Sequence, residues 1–249
     1  MENDTEISFP TPVVAWTTLA ILFLAYISSF VDRMIISLLV EPIKADFQIS
    51  DTQISLLLGL SFAIFYCLAA LPIGRLVDIW SRKKIITVGI TLWSFMTALC
   101  GLAQNYTQLF LARIGVGVGE ASLAPAAYSM LADSFPPKKL GLAMGVFTMG
   151  TAVGAGLALI IGGAIISFVT GENGENVSLF GISFLSGWQW VFVLVGLPGL
   201  FIALLTSLIR EPDRIVIKEK KKLYGDISIP ISEVKKFFKI NADFYIPHH

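Results

Sequence analysis

The sequence predicts an all-α integral membrane protein with six transmembrane helices. Three observations predict it: the 249-residue chain is 55% hydrophobic, only 14% of its residues are charged, and its apolar residues collect in six long runs. A soluble domain carries about 25% charged residues. Runs of about 20 apolar residues cross a hydrocarbon core of about 30 Å as helices, which satisfy their backbone hydrogen bonds internally.

Each predicted span follows one of these apolar runs. A spanning strand would need only about 10 residues of alternating polarity, a pattern that the runs lack. The tail before the first run is acidic and contains no Lys or Arg, so this run is interpreted as a retained helix and not as a signal peptide, whose start is basic. In chain order the predicted spans are Val13–Val40, Ile54–Ile73, Ile85–Ala103, Leu109–Ala132, Leu140–Val169 and Trp188–Ile209.

The basic residues predict the orientation of the bundle. Of the 18 Lys and Arg residues, 15 fall in loops and a tail on one side, Lys44 falls on the other, and Arg33 and Arg113 lie within spans. By the positive-inside rule both termini are then cytoplasmic. Trp188 and Trp190 begin the sixth span, where we expect them to anchor it at the outer interface.

The charge pattern also divides the chain. We expect a cytoplasmic tail over residues 1–12, the six-helix transmembrane domain over 13–212, and a basic cytoplasmic segment over 213–249. The net charge is zero, which does not suggest a nucleic-acid partner. Cys67 and Cys100 both lie inside apolar runs and are predicted to be small core residues.

Four ionisable residues fall inside predicted spans: Asp32 and Arg33 in the first, Arg113 and Glu120 in the fourth. A charge facing lipid costs about 2.5–3.5 kcal/mol on insertion scales, so these side chains should face the bundle interior or a water-filled cavity. Arg113 and Glu120 are seven residues apart and share one helix face. One interpretation is a pair of ion pairs that fasten the two helices together. The other is a cluster that responds to protons and ligand, because intramembrane charges mark transport pathways.

Glycines accompany these charges. Gly115, Gly117 and Gly119 precede Glu120, but their spacing and their place inside a span do not match a nucleotide-binding loop. They predict close approach of a neighbouring helix. The fifth span has two GxxxG pairs, which predict either tight packing or a bending helix at a moving interface. Proline removes a backbone hydrogen bond, so Pro125 and Pro198 are expected kink sites.

The segment between the second and third spans carries an ordered motif. Gly74 is expected to make a sharp turn there, and Leu76, Asp78, Arg82 and Lys83 follow it. This order resembles motif A of the major facilitator superfamily, GxLxDRxGRK, with Ile79 and Ser81 in place of the usual Arg and Gly. Further matches are Asp32-Arg33, Arg113, Gly117-x-x-Glu120-Ala121, Asp133-Ser-Phe-Pro136, the glycine-rich fifth span and Arg210-Glu211-Pro212. Together they are most similar to the spinster-like branch, close to the anion:cation symporter group.

The resemblance implies a twelve-helix fold built from two six-helix halves around a central cavity. This chain is then expected to be the N-terminal half, with an interdomain linker from residue 213, truncated before a second half. Asp32 and Glu120 are predicted to be the protonatable carboxylates, with Arg33 and Arg113 as their switching partners and as ligands for an anionic substrate. The gating residues implied by the motif are Gly74, Asp78, Arg82, Lys83 and Asp133, with Asp133 as the partner of Arg82.

The predicted function is secondary active transport, coupled to protons, of a small organic anion or an amphiphilic lipid-like substrate. The alternative is a non-transporting six-helix protein that acts as a sensor or assembly partner. An intramembrane protease would need a Ser nucleophile and a His base inside the membrane, but His248 and His249 are the only histidines, so the chain is not expected to be an enzyme. We expect no cofactor or metal, membrane lipids and a second six-helix half as partners, and a multi-pass location in a bacterial inner membrane.

Overall fold

The computed structural model describes residues 9–170 and 185–215. Its compact helical unit runs over Ser8–Pro212. The predicted linker over 213–249 therefore lies almost entirely outside the described residues. The helices are α1 Pro12–Leu38, α2 Val40–Phe47, α3 Asp51–Ser55, a π-helical turn Leu56–Leu60, α4 Ser61–Ile79, α5 Arg82–Cys100, α6 Tyr106–Glu120, α7 Leu123–Ser134, α8 Pro137–Thr170 and α9 Gly187–Leu208.

Six spans of these helices are long and apolar enough to cross a membrane, as predicted. They are α1, α3 through α4, α5, α6 through α7, α8 up to Phe168, and α9. Each of the six apolar runs of the sequence forms one span, and the described residues are all-helical. The fold class predicted from hydropathy is confirmed.

The prediction of a sharp turn at Gly74 is wrong. α4 continues through Gly74 to Ile79, and only Trp80 and Ser81 separate it from α5. A single glycine costs a helix about 1 kcal/mol, which is too little to end it where the flanking backbone hydrogen bonds remain satisfied. The turn comes instead at Ser81, whose hydroxyl caps α5 by accepting a hydrogen bond from the backbone N–H of Lys84.

Glycines let the helices approach closely. A Cβ placed on Gly119 would lie 2.7 Å from the backbone nitrogen of Trp93, and one on Gly117 would lie 2.8 Å from the carbonyl oxygen of Phe62. α6 therefore packs against both α5 and α4 at backbone distance, as the small residues predicted. This packing holds Arg113 and Glu120 inside the unit.

The two GxxxG pairs of α8 behave differently. A Cβ on Gly154 would meet the carbonyl oxygen of Ile27 at 2.8 Å, and Gly150 lies against Tyr26, so this pair packs on α1. A Cβ placed on Gly141 or Gly145 would have no atom of the described residues within 4 Å. One pair thus contributes to packing inside the unit, and the other leaves an open small-residue surface.

Two predictions about burial are corrected. Cys67 is exposed on α4 and is not a core residue, because an apolar run in a membrane protein also has faces outside the core. Trp188 is buried, so its ring is not available to anchor the span by contact with lipid: α2 covers it, Phe47 packs edge-on against its ring, and its Nε1–H donates to Asp46 at 2.8 Å. Trp190 is buried as well.

Candidate functional site

Two helices supply the intramembrane charges. Asp32 and Arg33 lie on α1, and Arg113 and Glu120 lie on α6. Asp32, Arg113 and Glu120 are each at most 2% exposed, while the side chain of Arg33 retains 27% exposure. Adjacent positions on a helix point about 100° apart, which explains how Asp32 turns inward while Arg33 reaches a more open surface.

Arg33 and Glu120 form a partly buried ion pair between α1 and α6. Arg33 Nη2 lies 2.6 Å from Glu120 Oε2, and the Ser29 hydroxyl donates to the same oxygen at 2.8 Å. Ser29 is one helical turn before Arg33, so both donors reach the carboxylate from one face of α1. Glu120 Oε1 has no hydrogen-bond partner within the described ranges. The pair can therefore accept another donor without being broken.

Aromatic rings surround the Arg33 guanidinium. Its Cζ atom lies 4.6 Å from the ring centre of Phe62, 4.8 Å from that of Phe30 and 5.4 Å from that of Tyr66. Arg113 lies on the Phe62 ring as well, at 5.5 Å. Such contacts stabilise a cation where water is scarce. They hold the guanidinium in a fixed position, with its charge directed at Glu120.

Asp32 and Arg113 are the members of the cluster with the most side-chain atoms that lack a hydrogen-bond partner among the described residues. Both carboxylate oxygens of Asp32, and Nε and Nη1 of Arg113, lack a hydrogen-bond partner among the described residues. Arg113, Glu120 and the Thr97 hydroxyl of α5 are the polar groups that act on the Asp32 carboxylate. Two ion pairs were considered from the sequence. The structure contains the Arg33–Glu120 pair, whereas Asp32 and Arg113 lie near each other without a direct bond.

This arrangement can exchange partners. Two buried acids compete for two buried bases, and the proton affinity of a carboxylate depends on which cation lies beside it. Movement of α1 against α6 changes those distances. An anion that bonded one of these arginines would compete with the carboxylate beside it. A cluster of this composition is chemically able to link proton binding to anion binding, because both compete for the same charged partners.

A second polar cluster forms around Arg82 at the junction of α4 and α5. Arg82 is fully buried, and its Nη1 pairs with Asp133 of α7, the partner expected from the sequence. The same nitrogen donates to the carbonyl oxygen of Ser129 at 3.0 Å and to its hydroxyl at 3.1 Å, while Nη2 donates to the carbonyl oxygen of Pro212 at 2.7 Å. Arg82 thus joins the start of α5 to the end of α7 and to the segment after α9.

Glu211 completes this cluster, although the sequence pattern predicted no role for it. Its Oε1 accepts the backbone N–H of Arg82 at 2.8 Å and Arg82 Nε at 3.2 Å, and its Oε2 accepts the Ser81 hydroxyl. Burial opposes ionisation, but these hydrogen bonds outweigh it and hold the pKa of Glu211 below its ordinary value. The sequence signal for this role was the Arg210-Glu211-Pro212 match to the family. Ser81, which replaces the usual glycine of motif A, supplies the hydroxyl that donates a hydrogen bond to Glu211.

The remaining motif residues lie outside both clusters. Gly74 lies within α4 with no atom within 4 Å of a Cβ placed on it, among the described residues. Asp78 is exposed near the end of α4, and Lys83 is half-buried in the first turn of α5. The structure brings together Arg82 and Asp133, whereas Gly74, Asp78 and Lys83 lie on the adjoining surface.

Comparison with known proteins shows what the chain resembles. The family model of the Major Facilitator Superfamily matches residues 22–245. Protein spinster homolog 1 of Xenopus tropicalis is 32% identical over 92% of this chain and 41% of its own length. The hexuronate transporter of Bacillus subtilis is 29% identical over 83% of this chain and 45% of its own length.

A solved structure has the same fold. The inward-facing, unoccupied structure of a bacterial homologue of the human lysosomal transporter spinster superposes with a TM-score of 0.74 and 38% identity. The match covers 82% of this chain and 45% of that one. The chain spans about two-fifths of the length of the curated relatives it matches.

Proposed function

We propose that this chain, which belongs to the Major Facilitator Superfamily, forms the N-terminal six-helix half of a proton-coupled secondary transporter. The chain is a multi-pass membrane protein, and the family's members move small molecules across membranes. The observation that carries the proposal is the buried set of two acids and two bases on α1 and α6. A purely structural cluster would pair all four groups, whereas Asp32 makes no hydrogen bond with any described residue.

A second half is part of the proposal. α4 and α8 belong to the two least buried spans, with 22% and 17% of their most apolar stretches buried inside the unit. Both carry glycines with open space around them, among them Gly74, Gly141, Gly145 and Gly163. Small residues allow a neighbouring helix to approach closely. These faces fit contact with a second six-helix half, across which alternating access would take place.

The Arg82 cluster supports the gating role proposed for the motif. Arg82, Asp133 and Glu211 fix the α4–α5 junction against α7 and the end of the unit, while Asp78 remains exposed beside them. We propose that the fixed junction presents Asp78, with Gly74 and Lys83, to the second half. Closing and opening of that contact would then control access from the cytoplasm.

The positive-inside rule supports the orientation of the proposal. Arg75, Lys84, Lys138 and Lys139 lie at the end of the unit that holds the Arg82 cluster, and this end is proposed to be cytoplasmic. Both termini would then be cytoplasmic, in a bacterial inner membrane. α2 and the start of α9 would lie at the outer face.

The groups around Arg33 support the proposed substrate class. A partly exposed guanidinium among three aromatic rings fits the carboxylate or phosphate of an organic anion, with apolar surface beside the anionic group. The relative named as a hexuronate transporter directs the choice of candidates toward a sugar acid. The apolar rings beside Arg33 also fit an amphiphilic lipid, the other class that the spinster-like resemblance implied.

The test uses the transporter that contains this half, reconstituted into vesicles. Radiolabelled hexuronate and a lysophospholipid are offered with and without an imposed pH gradient. Accumulation of either one that collapses when a protonophore dissipates the gradient supports the proposal. Accumulation that does not depend on the pH gradient would reject proton coupling. Binding of the substrate without any transport would favour the sensor or assembly role.

A further inference from the structure

A crevice lies between the start of α1 and the end of α9, away from the charge cluster. Its volume is about 290 Å³. Val13, Thr17 and Ile21 line it from α1, Leu205 and Leu208 line it from α9, and Arg210 lies at one end. Val13 and Leu208 are about three-quarters exposed, so the crevice opens sideways from the unit.

The depth of the crevice matches one leaflet. From Val13 to Ile21 the helix rises about 12 Å, whereas half of a hydrocarbon core is about 15 Å. The wall is apolar along this length apart from threonine hydroxyls. An acyl chain lying parallel to α1 would follow the crevice from the membrane surface toward the middle of the bilayer.

Arg210, at the opening of the crevice, favours a lipid with an anionic headgroup. Arg210 is exposed and makes no hydrogen bond or ion pair with the described residues. It directly follows the last residues of the sixth span, where a lipid phosphate would lie. Basic groups between membrane helices bind anionic headgroups. Among the residues that line the crevice, Arg210 is the charged one.

We infer that this crevice is a binding site for an anionic phospholipid, with one acyl chain between α1 and α9 and the phosphate on Arg210. The site is separate from the proposed substrate cluster. The bound lipid would hold the two ends of the unit together and make its stability depend on anionic lipid.

The test measures lipid binding to the delipidated 249-residue chain by native mass spectrometry. Phosphatidylglycerol and phosphatidylcholine with identical acyl chains are titrated separately. Arg210→Gln removes the charge, and Thr17→Phe fills the crevice. Lys84→Gln, at an exposed basic residue outside the crevice, and Thr91→Phe, at an exposed threonine of α5, are the matched controls. A thermal melt of each variant verifies folding.

We expect one phosphatidylglycerol per chain to bind more tightly than phosphatidylcholine. Arg210→Gln should weaken it about fivefold, the factor that corresponds to about 1 kcal/mol per basic residue near an anionic surface. Thr17→Phe should weaken both lipids, and the controls neither. Equal binding of the two lipids, or wild-type binding by both crevice variants, overturns the inference. Dimers of the chain that Thr17→Phe dissociates would also overturn it, because a second copy would then be the occupant.

Discussion

At the residue scale, neighbouring charges on one helix have different environments. Asp32 is buried without a hydrogen bond from any described residue, whereas Arg33 is partly exposed and bonded to Glu120. The sequence predicted that the four charges would be inside, because a charge facing lipid is costly. It did not predict which acid takes which base, since that depends on the relative rotation of α1 and α6. Ser29 and the rings around Arg33 were missed because they are ordinary residues of an apolar helix.

The Arg33–Glu120 pair should show strong energetic coupling. A double-mutant cycle of Arg33→Gln and Glu120→Gln measures it through unfolding of the chain in mixed micelles. Each single substitution leaves a buried group without its partner, so we expect a coupling energy of about 1–3 kcal/mol. Arg75→Gln with Glu120→Gln is the control cycle, because Arg75 is exposed on α4. Additive effects in the Arg33 cycle would mean that the pair contributes no specific stability.

Glu211 predicts a dependence of stability on pH. Hydrogen bonds from Ser81 and Arg82 hold its pKa below the ordinary value of 4.5. Its contribution is therefore present above about pH 4.5 and is lost as the pH falls through the lower folded value. Melting temperatures across this window should fall in the wild type and change less in Glu211→Gln. Ser81→Ala removes one of these bonds and brings the folded pKa of Glu211 closer to its ordinary value, so the acid-induced loss of stability should be smaller than in the wild type and complete at a higher pH. Identical profiles for all three proteins would contradict this role.

At the element scale, hydropathy predicted every span, but not where the helices end or how they are oriented. The six spans follow from lipid being a poor solvent for backbone groups. The end of α4 was misplaced because Gly74 was interpreted as a turn, while the helix continues to Ile79. Trp188 was misplaced because α2, a short helix in a loop, covers it. Such details depend on contacts between distant segments, which a local pattern does not contain.

Two glycines of α8 should respond differently to the same substitution. A Cβ at Gly154 would lie 2.8 Å from the Ile27 carbonyl oxygen and 2.7 Å from Phe30 Cβ, whereas one at Gly156 meets no described atom within 4 Å. Gly154→Ala should destabilise the chain by about 1–3 kcal/mol through overpacking against α1. Gly156→Ala, two residues away, is the control and should be neutral or slightly stabilising. Equal melting temperatures for the two variants would show that α1 and α8 do not pack at this distance.

At the scale of the whole molecule, the described residues contain a buried polar network, the Arg82 cluster, which holds the unit together. Asp78 lies exposed on the adjoining surface and is proposed to contact the second half. The sequence motif contains both types of residue without distinguishing them. Burial distinguishes them, because Arg82 is fully buried while Asp78 is exposed.

Substitutions at Arg82 and at Asp78 should therefore affect different properties, the first the stability of the unit and the second the rate of transport. Arg82→Gln removes the cation from a buried network and should cost about 3–5 kcal/mol in the isolated chain. Asp78→Asn changes an exposed charge, where ion pairs contribute about 0–1 kcal/mol, and should leave the melting temperature nearly unchanged. In the transporter that contains this half, Asp78→Asn should still lower the rate of transport severalfold. A large loss of stability in the isolated Asp78→Asn chain would place its role inside this unit.

The intramembrane cluster of α1 and α6 is proposed to couple protons to transport. Uptake by vesicles containing the transporter, with and without a pH gradient, tests it most directly when Asp32→Asn is compared with the wild type. Asp51→Asn, at an exposed acid at the start of α3, is the control. We predict that Asp32→Asn abolishes gradient-driven accumulation while exchange at equal pH persists, and that the control behaves as wild type. Full gradient dependence in both Asp32→Asn and Glu120→Gln would contradict the claim and leave the cluster as a structural ion pair.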